Sequence, residues 1–437
     1  MNALSELREL RELVRGRVLL PGDGGFDPAR RPWNLAVEQD VPAVVEAADA
    51  DDVAALVRYA GARGLRVSVQ PSGHGATGDL DGALLLRTRH LDEVSVDPAA
   101  RTARVGAGVR WGEVQRVAGE HGLTGLPGSS PVVSVTGYTL GGGLSWFSRA
   151  YGWAADSVTA FEGVTADGER FRATAGSELL WALRGGGGDH AVVTALEFDL
   201  HPAPELYGGR MLWPADRAAD VLDAYREITA TAPDALTVWF DLLSFPGTTP
   251  MAAVDATYLG DPAEGRDLLR PLERLGATLS DGRGPLPVAE LGSITAEPTE
   301  PGAGISRGEL LTTMDDQTAK ALLAEPIDPL MSVQVRHLGG ALTRPSDSPH
   351  GPLTEPYALY LFGVPTSPES RAAIRARQRD LVQGLAPAIS GRKPYTFLTP
   401  GETAADAFAP DALARLRAVK HGHDPHHTIR SNYPVTF

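Results

Sequence analysis

The 437-residue chain contains no cysteine. That absence excludes disulfides, thiolate nucleophiles and thiolate metal sites together. Long apolar runs are missing too. No stretch of about 18 apolar residues is present to span a bilayer. Met1 to Arg15 is charged and amphipathic, without the apolar core of a signal peptide. Basic residues are in deficit: 40 Lys and Arg against 55 Asp and Glu leave a formal net charge of −15. Non-specific attraction to nucleic acid or an anionic membrane is therefore not expected. These absences lead to the expectation of a cytoplasmic protein whose partners are small molecules.

What remains is an ordinary globular composition, 43% apolar and 22% charged, in a chain long enough for two or three domains. Short strands and helices alternate without a sustained doubly wound pattern, so the expected class is α+β. The spacing predicts helices over Leu4–Val14, Asp49–Gly64, Arg110–His121 and Glu178–Leu183. Strands are expected at Ala43–Val45, Val67–Val69, Gly82–Arg87, Glu93–Val96, Arg101–Gly106, Ser157–Thr165, Glu169–Ala173 and Val192–Leu200. Beyond Pro202 the pattern predicts helices over Pro214–Ala230, Pro262–Leu275, Lys320–Leu323, Ser367–Leu385 and Pro410–Lys420. The strands there are Leu236–Ser244, Met251–Tyr258, Met331–Leu338 and Tyr357–Val364.

Two glycine-rich loops lie about sixty residues apart, Pro71 to Gly78 and Gly128 to Gly143. Such loops let backbone N–H groups approach a pyrophosphate, and the first also carries His74. Gly106-Ala107-Gly108 and Gly185 to Gly188 lack the strand, helix and acidic spacing of a dinucleotide fingerprint, which disfavours NAD. His421, His423, His426 and His427 cluster near Asp424, but their helix-to-loop setting does not favour a metal site.

Further motifs follow in order: Gly137-Tyr138-Thr139-Leu140-Gly141-Gly142-Gly143, Arg149 to Asp156, Trp181 to Gly187, Val192-Val193-Thr194, Asp424-Pro425 and Arg430 to Pro434. The series resembles the FAD-linked oxidases of the vanillyl-alcohol oxidase superfamily, within it the berberine bridge enzyme-like oxidases of bacterial secondary metabolism. The likeness is tight from about residue 35 to 200, clear near the C-terminus and loose between. It implies a two-subdomain PCMH-type FAD-binding domain over residues 1–203. A substrate domain with one antiparallel sheet would span 204–400, and segment 401–437 would complete the FAD-binding domain.

The resemblance implies FAD contacts from Pro71, Ser72, Gly73, His74, Gly75, Ala76 and Thr77. From the second loop it adds Gly128, Ser129, Ser130, Val133, Thr136, Gly137, Leu140, Gly141, Gly142 and Gly143. Val192, Val193, Asn432 and Tyr433 complete the set. His74 matches the histidine that many members bond to the flavin 8α-methyl; packing against the ring edge is the alternative. Ser130 stands where bicovalent members have cysteine, so no second covalent link is expected. Val133 matches a position that leaves room for dioxygen, and Tyr138 one under the pyrimidine edge of the ring. Gly188-Asp189-His190-Ala191 departs from the usual Gly-Asn-Phe-Gly, and a surface or supporting role is expected for His190. Phe397 replaces a tyrosine that serves relatives as base. Tyr138, Tyr360, Tyr395 and Gln334 are the candidate catalytic residues, with Arg336 and His337 also weighed. On a strand, Gln334 and Arg336 point together and His337 away. The implied activity is an FAD-dependent oxidase moving a hydride to flavin N5 and yielding hydrogen peroxide. A dehydrogenase with another acceptor and a non-redox cyclase or scaffold are the alternatives.

Overall fold

The computed structural model describes residues 3–80, 82–203 and 205–436. Three sheets organise them. In the first, strands Arg17–Leu19, Val44–Glu46, Leu84–Arg87, Val67–Val69 and Ile429–Arg430 lie in that order. The first pair is antiparallel and the other three pairings are parallel. Parallel neighbours need a crossover, supplied by helix Ala50–Ala62. Its N-cap Asp49 accepts from the Asp51 and Asp52 N–H groups. Val53, Leu56, Val57 and Ala60 on this helix pack against Val45, Val67, Leu84 and Leu86.

The second sheet is antiparallel throughout, in the order Val94–Asp97, Thr102–Gly106, Val192–Asp199, Val158–Val164 and Arg170–Ala173. Its core gathers Trp111, Trp146, Phe161 and Phe198.

The third sheet has eight strands, all antiparallel. Leu206–Pro214 pairs Met251–Leu259, followed by Leu236–Leu243, Ser332–His337, Tyr357–Gly363 and Ile305–Leu311; two short strands flank Leu206–Pro214. Alternation along these strands makes two unlike faces. Val238, Phe240, Val333, Val335, Leu359 and Leu361 pack under helices Ala218–Thr229 and Pro368–Gly384. Trp239, Asp241, Gln334, Arg336 and Tyr360 occupy the opposite face.

The mixed α/β content agrees with the expected class. Several elements differ in detail. Strands Leu206–Pro214 and Ile305–Leu311 were not expected. The first contains Gly208 and Gly209, the second Arg307-Gly308-Glu309, and both break the apolar alternation that marks a strand. Pro214 ends a strand, and the helix expected from there begins at Ala218. The helix expected over Pro262–Leu275 splits into Pro262–Leu268 and Arg270–Glu273, because Pro271 lacks the N–H that would continue the ladder. The N-terminal helix divides into Ala3–Arg8 and Leu10–Leu13. The expected division between residues 203 and 204 falls on Pro204, which lies outside the described residues, as do the terminal positions of the outer segments.

Candidate active site

Strand Val67–Val69 delivers the first glycine loop. Gly73 has φ +82°, and a Cβ there would stand 2.8 Å from the Cβ of Pro32, so the turn passes tightly against the neighbouring chain. His74 stacks on Trp33 with centroids 4.4 Å apart, and its Nδ1 lies 2.7 Å from Ser72 Oγ. Burial, and then the positive charge of Arg110, bring its pKa down to about 4. The imidazole is therefore neutral at physiological pH. Pro71, Ser72 and Thr77 are half-buried, Ala76 is buried and Gly75 exposed. Asn432 Nδ2 donates to the Gly75 carbonyl at 2.7 Å, which ties the C-terminal segment to the loop.

The second loop contains a short helix, Val135–Leu140, with Ser134 Oγ accepting the Gly137 N–H at 3.3 Å. Gly128 and Ser129 are half-buried and Ser130 buried before it, and Gly137 is exposed. Around that glycine, Thr136 Oγ1, Tyr138 Oη and Thr139 Oγ1 are buried without a hydrogen-bond partner. Three unmatched hydroxyls on one helical segment are costly unless a ligand completes them. This is the feature that fits FAD. Gly143, at φ +79°, would place a Cβ 2.4 Å from the Tyr138 ring. The carbonyl of Gly141 lies 3.0 Å from His350 Nε2, and the His350 ring stacks on Trp153. Val133 is half-buried, its carbonyl accepting the Trp111 N–H. Leu140 accepts the Gly187 N–H at 2.8 Å, and Val192 and Val193 are buried in their strand.

Asp189 and His190 hold the C-terminal segment. The Asp189 carboxylate accepts the Ser431 and Val435 N–H groups, each at 3.1 Å. Its carbonyl accepts Lys420 Nζ at 2.5 Å, and Lys420 also pairs with Asp424 at 2.7 Å. Of the surface or supporting role expected for His190, the surface arm is corrected: the residue is fully buried, with Nε2 3.2 Å from the Leu416 carbonyl. Asp424 also accepts the Thr428 and Ile429 N–H groups.

The polar face of the third sheet lies opposite. Ser332 Oγ and Gln334 Nε2 donate to Asp241 at 2.7 and 3.3 Å, and Arg336 Nε donates to Gln334 Oε1 at 2.6 Å. The Arg336 guanidinium sits 4.2 Å from the Trp239 ring centre, 5.2 Å from Tyr360 and 5.6 Å from Phe397. Phe397 lies over Gly308, where a Cβ would meet its ring at 2.5 Å. Trp239 stacks on Trp146, just beyond the glycine turn, at 3.5 Å. Arg149 binds the two regions further, donating to the carbonyls of Leu236, Ala232, Pro233 and Leu338. His337 points away from Gln334 and Arg336, with Nε2 3.0 Å from Arg149 Nη1.

Tyr138, Tyr360 and Gln334 thus converge around Arg336, whose charge is felt at both phenols. Tyr395 stands apart. Its hydroxyl donates to the Tyr433 carbonyl at 3.0 Å, and its ring packs with Phe408 in the C-terminal cluster. Tyr433 in turn donates to Leu398 at 2.7 Å. Burial raises the pKa of all three candidate phenols. Asp241, Trp239 and His350 had not been singled out. A lone carboxylate inside Leu236-Thr237-Val238-Trp239-Phe240-Asp241-Leu242-Leu243 is the signal that would have found Asp241. Burial first, and then the charge of Asp255, push the Asp241 pKa up to about 7.

Comparison with known proteins bears on the fold and the cofactor. A family model described as "FAD binding domain" matches residues 41–174. The chain is 29% identical over 451 residues to (R)-6-hydroxynicotine oxidase of Paenarthrobacter nicotinovorans, covering 97% of each protein. Its fold is similar to that of BBE-like 1 from Physcomitrella patens, at TM-score 0.86 and 18% identity over 99% of both chains. It is also similar to xylooligosaccharide oxidase from Myceliophthora thermophila C1, at TM-score 0.84 and 19% identity over 99% of both. Residues 41–174 thus match an FAD-binding domain, the chain has a PCMH-type FAD-binding fold, and it is an FAD-dependent oxidoreductase similar along its length to flavin-linked oxidases.

Proposed function

We propose that this enzyme is an oxidase of a small organic substrate, an alcohol, an amine or a natural-product intermediate; its residues would hold FAD, which would supply a hydride acceptor at N5 and the route by which dioxygen takes up the electrons as hydrogen peroxide. One observation carries the reading. A helix of the second glycine loop and the polar face of the third sheet meet at Arg336, with Tyr138 from one side and Tyr360 from the other within its electrostatic reach.

The residues divide the work. The glycine turns admit the cofactor closely, while Thr136, Tyr138 and Thr139 offer it hydroxyls. His74, neutral and without a carboxylate contact among the described residues, has the nucleophilic form needed for attachment at the 8α-methyl. Ser130 leaves that as the single link. Gln334 and Tyr360 face the substrate. Of the candidate proton acceptors, Tyr360 fits best. It shares its face with Gln334, and both a Ser306 hydrogen bond and the Arg336 charge oppose the effect of burial on its phenol. Val133 beside the ring supports the choice of dioxygen as acceptor. The division into 1–203, 204–400 and 401–437 draws support from the pairing of Ile429–Arg430 with Val67–Val69 in the first sheet. The P. nicotinovorans relative is named for an amine substrate, and the M. thermophila structure for an oligosaccharide. The aromatic lining at Trp239, Tyr360 and Phe397 favours the compact heterocyclic kind. A role in bacterial secondary metabolism within the cytoplasm is consistent with this chemistry.

The test is direct. Purified protein should be yellow, and mass measurement after denaturation should show flavin retained by wild type but not by His74→Ala. A substrate that bleaches the flavin anaerobically should yield hydrogen peroxide on admission of air. Slow peroxide formation with fast reduction of an artificial acceptor would make it a dehydrogenase.

A further inference from the structure

Arginines buried elsewhere in this molecule are matched. Arg210 makes a two-pronged pair with Asp255 at 2.6 and 2.7 Å. Arg87 donates to the carbonyls of Ala29, Gln70 and Arg31, and Arg149 has its own set of carbonyls. Arg336 is different. Only its Nε is engaged, on Gln334 Oε1, and no carboxylate of the described residues comes within salt-bridge distance. Its two terminal amino groups remain for something else. The half-buried cation is held mid-strand among Trp239, Tyr360 and Phe397, with the carboxylates of Glu297 and Asp241 acting on it only from beyond salt-bridge distance, so a direct anionic partner is the interaction it lacks.

The way Arg336 is held also matters. Gln334 is fixed at both ends, donating to Asp241 and accepting from Arg336. This orients the guanidinium plane and places a neutral amide between it and Asp241. A planar fork so presented matches a carboxylate in two-pronged fashion. The surrounding rings offer apolar contact to the organic part of the same molecule.

We propose that the substrate carries a carboxylate, and that Arg336 is the specificity-determining residue that anchors it. The inference rests on the reading of this face as the substrate side of a flavin site, and its test separates the two. Flavin content of the purified holoprotein is measured first; a colourless protein that takes up no FAD defeats the functional reading itself. With flavin bound, phenylacetate and its neutral isostere phenylacetamide are titrated while the flavin absorption band is followed. Phenylacetate should bind about tenfold or more tighter. Arg336→Gln should erase that preference with flavin content unchanged. Arg336→Lys, which keeps the charge but loses the fork, should retain part of it and carries the test if the glutamine variant does not fold. Equal affinity for the two probes, absence of a carboxylate response, or a preference that survives in Arg336→Gln overturns the proposal. So does an Arg336→Gln protein that folds but sheds its flavin, which would assign the guanidinium to the cofactor.

Discussion

Asp241 shows how a single buried carboxyl can carry a pH dependence. Its pKa lies near 7 in the fold and near 3.8 when unfolded. Between those values the folded protein binds the extra proton, so stability falls as pH rises from about 4 to about 7 and levels off above. Asp241→Asn should remove that slope. The thermal midpoint of the variant, measured against wild type at pH 5 and pH 8, should shift in the variant's favour at the higher pH by the equivalent of roughly 2–3 kcal/mol. A difference that stays constant across this range would place the titration elsewhere. Because Gln334 and Arg336 hang from Asp241, the same substitution should also flatten any inflection in kcat/KM near neutrality.

At the level of elements, the helix Val135–Leu140 and the glycine turn after it are mutually fitted. Gly143→Ala combines a left-handed backbone with a collision against the Tyr138 ring. Gly176→Ala has a similar φ of +87° but open space around it. The second change should cost about 1 kcal/mol and the first about 3 or more, with loss of flavin, in paired unfolding and flavin-content measurements. Much of this region could be read from the chain. Glycines and caps mark a backbone that must turn sharply, and the local signal survives because local conformation decides it. Helix Ala50–Ala62 was legible for the same reason. The strands Leu206–Pro214 and Ile305–Leu311 were not. Their glycines and charges are tolerated because neighbouring strands supply the hydrogen bonds, and Phe397 fills the space above Gly308. The strand pattern placed Gln334 and Arg336 on one face, but it gave no hint that a stacked Trp239 and a buried Asp241 stand beside them. Tyr395 looked equivalent to Tyr360 in sequence. Only the folded chain shows its hydroxyl occupied by Tyr433.

For the molecule as a whole, the C-terminal segment is secured by Lys420, buried between Asp189 and Asp424. Removing the cation takes a donor from the Asp189 and Ile429 carbonyls and leaves the buried Asp424 carboxylate without its counter-charge. Lys420→Met should lower stability by about 3–5 kcal/mol and reduce flavin occupancy. Arg415→Met, which removes a cation lying on the Trp181 ring, should cost about 1 kcal/mol or less. Comparing the melting temperatures of both variants with and without added FAD checks this.

That same segment sets a timetable for the cell. Ile429–Arg430 supplies the last strand of the sheet whose other members lie before residue 88. Asn432 reaches back to the loop of His74. A nascent chain still on the ribosome has made the glycine turns long before it can make the strand that closes them. Stable loading with the cofactor is therefore expected only after residue 432 has left the ribosome, which flavin retention by chains truncated before residue 429 would check.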